Sequence, residues 1–317
     1  MLRHLLPALA LTMIAASTAT AQFAADLRGR VTDPSGSAVA NAAIDLTQTA
    51  TNTHIDTITS RSGDYAFTNV TPGVYQLDVT APGFAHLARA GVHAIVGQTI
   101  RVDLTLPILA TQQTINVTAD APLLQTETSN VQTNIAGSTV LAMPLNTRNF
   151  VQLATLAPGV ELPPGTVLPR INGGRPRTNE YIFDGISALQ PEPGQVVYFP
   201  ILDDIQAFTI ESNSVPAEFG RFNGGVVNVA TRSGSNTLHG SLFEFFRNED
   251  LNARNYFAPT ASPKPEYCRN LYGATIGGPL LPNRLFFFGA YQGVKQLIGI
   301  TQISTIPTLD ERRGIFT

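Results

Sequence analysis

Short runs of apolar residues, many alternating with polar ones, recur along this chain between clusters of Gly, Pro, Asn, Asp and Ser. From residue 24 to 107 the apolar runs fall at 42–46, 65–67, 74–79 and 100–106, the spacing of a β-sandwich. The breaks carry their own turn chemistry: Asp33-Pro34-Ser35-Gly36, Arg61-Ser62-Gly63-Asp64, Thr71-Pro72-Gly73 and Ala81-Pro82-Gly83 combine residues that preset or permit the turn dihedrals. In the run after Gly73, Tyr75, Leu77 and Val79 alternate with Val74, Gln76 and Asp78, which predicts a strand with the former three facing the core.

The block 129–235 is mixed. Asn146 can cap a short helix in which Phe150, Leu153, Ala154 and Ala157 form one apolar stripe, ended by Pro158-Gly159. Asp184-Gly185 follows alternating apolar residues and suits a tight turn. Asp203 and Asp204 would point to opposite faces of a strand, and after Pro200 they open a helical turn instead.

The block 236–317 holds three strand-length runs, 238–247, 271–280 and 284–293. A long polar stretch, 248–270, separates the first two, whereas Pro282-Asn283 joins the last two tightly, and a polar segment begins again at Lys295. Tyr272, Ala274, Ile276 and Leu280 share one face of the middle run, and Phe286, Phe287, Phe288 and Tyr291 suit an aromatic girdle. Long loops alternating with short turns are the order of an outer-membrane barrel, with the runs crossing outward, inward and outward, although a soluble meander shows the same pattern over three strands.

Composition narrows the compartment. Leu5 to Ala16 is an apolar stretch behind Arg3 and His4, closed by Ala19-Thr20-Ala21, so 1–21 reads as a secretory signal peptide. Cys268 is the only cysteine and cannot make an intramolecular disulfide, so burial, a partner or a membrane must stabilise the exported chain. With 20 Lys and Arg against 23 Asp and Glu and no basic block, nucleic acid is not an expected partner.

Two motifs carry family resemblances. The pattern from Gly29 to Phe84, with Asp33-Pro34-Ser35-Gly36 and later Gly63-Asp64-Tyr65, resembles the carboxypeptidase regulatory-like domain, which implies a transthyretin-like sandwich among carbohydrate-binding-like folds, acting in carbohydrate binding or as a spacer. Ser214 to Gly234, with Gly224-Gly225-Val226-Val227-Asn228-Val229, resembles the last part of the plug in TonB-dependent outer-membrane receptors of the Oar-like group. The stretch from Ile171 through Gly173-Gly174 to Asp184-Gly185 resembles another plug segment. The expected architecture is mainly β: sandwich 24–107, linker 108–128, α+β plug 129–235, and first barrel strands 236–317.

The resemblance implies active import of a small ligand (an iron chelate, a glycan or a peptide) across the outer membrane, with the sandwich in the periplasm, lipid around the barrel and a TonB-type energy-transducing protein as partner. Thr114, Ile115, Asn116, Val117, Thr118 and Ala119 resemble a TonB box, although the same run equally suits a last sandwich strand or a first plug strand. Arg170, Arg175 and Arg177 flank or occupy the Gly-rich plug loop as candidate ligand contacts; they equally suit pairing with carboxylates in a polar lumen. A plugged transporter barrel needs about 22 strands, so residues 236–317 predict an N-terminal piece of a longer protein. The competing expectation is a secreted or periplasmic carbohydrate-binding or adhesion protein.

No enzyme constellation is legible. His54, His86, His93 and His239 are followed three residues later by Thr57, Arg89, Val96 and Leu242, so no H-x-x-E pair exists, and H-E-x-x-H and G-x-S-x-G are missing. Catalytic residues, metal ligands and cofactors are therefore not expected.

Overall fold

A computed structural model describes residues 25–108, the backbone of 115–118, and residues 129–145, 147–192, 194–215, 219–220, 222–254, 264–299 and 307–315. The signal segment 1–21, Thr114, Ala119 and Asn146 lie outside the described residues.

Among the described residues, nine strands build the sandwich: β1 (Ala25–Thr32), β2 (Ala43–Gln48), β3 (His54–Ile58), β4 (Asp64–Val70), β5 (Gly73–Thr80), β6 (Leu87–Ala94), β7 (Thr99–Arg101), β8 (Leu104–Thr105) and β9 (Ile115–Thr118). One sheet has the order β4-β1-β7 with β8 also on β1; the other runs β3-β2-β5-β6-β9. Tyr75, Leu77 and Val79 are at most 2% exposed and face the core as expected. Strands β1 and β6 were not among the apolar runs, because charged Asp26, Arg28 and Arg30 occupy the outer face of β1 and Ala and Gly weaken β6. In β1, Gly29 is required: a Cβ there would lie 1.8 Å from the Val102 carbonyl oxygen.

The plug is organised around the sheet β10-β15-β16-β13-β14, formed by β10 (Val131–Ala136), β13 (Glu180–Phe183), β14 (Ile186–Ser187), β15 (Ile205–Asn213) and β16 (Val226–Thr231). The hairpin of β11 (Val160–Glu161) and β12 (Arg170–Ile171) lies beside it in sequence, and α1 (Gly137–Ala142) follows β10. Phe208, Ile210, Val227, Val229, Tyr181 and Phe183 form its apolar face. Phe150 packs edge-on against Phe208, with ring centroids 5.3 Å apart. All four stripe residues, Phe150, Leu153, Ala154 and Ala157, are buried, but they sit on a 3-10 helix, Phe150–Leu156, and its end. Its cap is Asn149, whose side chain accepts from the Val151 N–H, so the helix starts later than the sequence reading placed it.

The other face of the same sheet is polar. Gln132 and Asn134 on β10, Thr209 and Glu211 on β15 and Asn228 on β16 share it by register. Asn228 and Glu211 are 0% and 1% exposed, and the Asn228 amide donates to Glu211 Oε1 at 3.1 Å. The sandwich turn at 95–98 covers this face: Thr209 Oγ1 donates to the Val96 carbonyl at 3.2 Å.

A third sheet, β17-β18-β19, comprises β17 (His239–Asn248), β18 (Tyr267–Leu281) and β19 (Leu285–Ile298). β18 and β19 are longer than expected, because Tyr267 to Asn270 and the stretch from Lys295 to Ile298, read as polar connections, continue the strands. Along β18, Tyr272, Ile276 and Leu280 are 44–60% exposed while Leu271 and Thr275 are buried, the alternation of a strand with one apolar outward face. The aromatic girdle needs correcting: neighbouring residues of a strand face opposite ways, and His239 stacks on Phe288 at 6.2 Å, so Phe286 and Phe288 lie on the face opposite Phe287 and Tyr291. A short helix α2 (Leu309–Arg312) follows.

Candidate functional site

The Gly-rich plug loop is fixed by a buried amide. Asn179, 1% exposed, donates through Nδ2 to the Pro169 carbonyl at 2.7 Å and accepts from the Gly225 N–H at 3.2 Å. Asn223 and Gly224 also donate their N–H groups to the Thr178 carbonyl, at 3.1 and 3.0 Å. The double glycine is what permits this approach: a Cβ on Gly224 would lie 2.0 Å from Asn179 Oδ1. Asn172 adds a side-chain hydrogen bond to the Ser212 carbonyl.

This clamp presents the arginines outward. Arg170 lies on β12 opposite Glu161, and Arg175 and Arg177 lie in the loop, where Thr178 Oγ1 donates to the Arg175 carbonyl at 2.7 Å. All three are exposed, and among the described residues none is in an ion pair. The end of β12 and the loop that follows it therefore carry three exposed positive charges beside the clamp.

The opposite end of the sheet carries carboxylates. Asp184 and Gly185 have φ of +47° and +85°, the two positive values of a type I′ hairpin turn between β13 and β14. The Asp184 carboxylate accepts from the Thr231 N–H at 2.9 Å and from Thr231 Oγ1 at 2.6 Å, tying that turn to the end of β16. Asp203 and Asp204 lie in the 3-10 turn Leu202–Asp204. Asp203 forms a mostly buried ion pair with Arg148 at 2.6 Å. Asp204 instead has its pKa pushed up to about 6, first by burial and then by the Asp184 carboxylate, against the pull of Arg232.

That shift has a defined sign. Folded Asp204 holds its proton to about pH 6 whereas the unfolded chain loses it near 3.8, so this group's contribution to stability falls as pH rises through that window. Asp204→Asn is expected to raise the thermal midpoint at pH 7.5 and to shrink its gain on going from pH 7.5 to pH 5. Thermal melts of both proteins at the two pH values check this; an unchanged pH dependence sinks it.

The sequence points to the arginine loop and the Asp-Gly turn but not to Asn179, the Asp184–Thr231 tie or the Arg148–Asp203 pair. Gly224-Gly225 at the head of a strand signals that another backbone comes close, yet not which residue does so. The box candidate is placed only in backbone: Ile115–Thr118 form β9, parallel to β6. Among the described residues no group of His, Cys, Asp and Glu is arranged to hold a metal ion. His54 and His86 instead make surface contacts with Asp45 and Asp78 at 3.3 and 3.2 Å.

A carboxypeptidase regulatory-like domain matches residues 26–107, and an outer membrane beta barrel domain matches 230–317. The TonB-dependent transporter Oar of Myxococcus xanthus is 30% identical over 266 residues, which are 78% of this chain and 25% of that protein. The chain thus spans 25% of that relative's length. Among solved structures, the outer membrane transporter YddB of Escherichia coli has 20% identity over 47% of this chain and 24% of its own, with a TM-score of 0.38. For the siderophore receptor PirA of Acinetobacter baumannii the values are 20%, 51%, 24% and 0.39. Sandwich, plug sheet and outward-facing apolar strands, with these family matches, define an outer-membrane β-barrel protein. The chain is a homologue of the TonB-dependent transporter Oar, carrying a carboxypeptidase regulatory-like domain and an outer membrane beta barrel domain.

Proposed function

We propose that this chain supplies the periplasmic sandwich, the plug and the opening barrel strands of a receptor that binds a small ligand and imports it when a TonB-type protein pulls on the segment before the plug. The observation that carries this reading is the junction between plug and barrel. β16 ends at Thr231 and β17 begins at His239, and the segment between them is held to the turn that joins β18 and β19. Asn236 Nδ2 donates to Asn283 Oδ1 at 2.8 Å and Asn236 Oδ1 accepts from the Asn283 N–H at 2.8 Å. Gly234 runs so close to that hairpin that a Cβ would lie 2.3 Å from the Phe287 carbonyl oxygen. A plug so closely tied to the first strands moves by local unfolding or rearrangement, and force applied at its N-terminal side is the means to cause it.

The chemistry is binding and gating, not catalysis. Arg170, Arg175 and Arg177 are the contacts we assign to the ligand, whether iron chelate, glycan or peptide; exposed guanidinium forks on a fixed loop suit a ligand with carboxylate or phosphate oxygens. The segment containing Thr114, Ile115, Asn116, Val117, Thr118 and Ala119 is the site we assign to the transducing partner. Deleting these six residues from the protein in its own outer membrane is expected to abolish energised uptake while leaving ligand binding to whole cells unchanged. Uptake at the unaltered rate removes the assignment.

A further inference from the structure

The segment assigned to the partner is already paired within the chain. β9 lies at the edge of the sandwich sheet, parallel to β6, with Leu87 opposite Ile115, Ala88 opposite Asn116, Arg89 opposite Val117 and Ala90 opposite Thr118. β9 is the edge strand of this sheet and falls beyond the matched regulatory-like domain, which ends at residue 107.

β6 is shaped to receive a short strand. Its register against β5 shifts between Tyr75 and Leu77, where Tyr75 faces Val92 but Leu77 faces Arg89. One extra residue is accommodated there, and Gly91 has a φ of +77°, as a glycine bulge requires. Pairing with β9 stops at Ala90, next to this bulge. The edge offered by β6 is therefore limited to its first half, since a bulge bends a strand and ends its ladder. A four-residue parallel ladder is short and its hydrogen bonds are slanted, so it holds its strand reversibly.

We propose that the sandwich sequesters the partner-binding segment by strand addition in cis, and that the TonB-type protein captures it by strand exchange, replacing β6 as the pairing edge. This inference rests on the assignment of the segment to the partner made above. The sandwich then acts as a brake on coupling. By population-shift arithmetic, the partner's apparent affinity is reduced by the fraction of molecules in which β9 is free.

The test is a reversible lock in the full-length receptor, made in a Cys268→Ser background. Ala88→Cys with Asn116→Cys joins residues that are directly opposite, within disulfide reach; Ala88→Cys with Thr118→Cys is the out-of-register control, two residues further along the strand and beyond that reach. The probe is the purified periplasmic domain of the host's TonB-type protein, added to the receptor in detergent. We expect the in-register pair, and not the control, to form a disulfide on oxidation. Oxidation should then weaken probe binding by about tenfold or more, with recovery on reduction. Failure of the in-register disulfide to form, or a locked receptor that binds the probe as well as the reduced one, overturns the proposal. The deletion of residues 114–119 separates the two readings. If it abolishes probe binding while the lock has no effect, the segment binds the partner but is not sequestered; if it leaves binding intact, both readings fall.

Discussion

Gly225→Ala is expected to destabilise the plug by about 3 kcal/mol, among the larger effects a single methyl group can have. The new Cβ would lie 2.5 Å from the Glu211 carbonyl oxygen and 2.7 Å from Ile171 Cδ1. Neither neighbour has room to retreat. Glu211 is 1% exposed and lies on β15, paired on one side with Gln132 of β10 and on the other with Val226 of β16. Ile171 is fully buried in the plug core. Gly173→Ala is the contrasting case: its φ of +74° strains any side chain, but nothing lies within 4 Å of the added Cβ, so its cost is about 1 kcal/mol. Thermal unfolding and limited proteolysis of the two variants distinguish crowding from backbone strain. Equal losses would show that the double glycine is not a site of close approach.

Ile276→Arg is expected to block barrel assembly, because a charge on the lipid face near the bilayer midplane costs about 2–4 kcal/mol. Ile276 is 53% exposed and shares the outward face of β18 with Tyr272 and Leu280. Its neighbour Thr275 is buried and faces the other way, where its hydroxyl meets Ser241 Oγ at 2.8 Å. Gln292 is the control. It lies four residues beyond Phe288 on β19 and so shares the face that carries the His239 stack. Gln292→Arg should assemble in normal yield, because lumen-facing positions tolerate charge. The yield of folded receptor in outer-membrane fractions, read by heat-modifiable gel migration, reports the difference. Similar yields for the two arginine variants would refute the assignment of faces.

These cases separate local from non-local information. Tyr75, Leu77 and Val79 were legible as core residues because strand periodicity is a property of consecutive positions. Asp184-Gly185 was legible as a turn because the chemistry that sets positive φ resides in those two residues. The stripe Phe150, Leu153, Ala154 and Ala157 is legible as buried, but not as a 3-10 helix, since residues three apart share a face in both helix types. Aromatic content alone does not divide Phe286, Phe287 and Phe288 between the two faces of β19, whereas strand alternation does.

The sequence by itself determined the strand-rich class, the turns, the sandwich core, the two plug motifs and the positive charge of the Gly-rich loop, all carried by residue type and short spacing. Tertiary structure alone decided that Asn179 clamps that loop, that Asp184 reaches Thr231, that Asp203 pairs with Arg148 while Asp204 keeps its proton to about pH 6, and that Ile115–Thr118 lie against Leu87–Ala90. The reason is common to all of them. Each depends on a hydrogen bond, a burial or a field between residues far apart in sequence, and a chain encodes such partners only through the fold that brings them together.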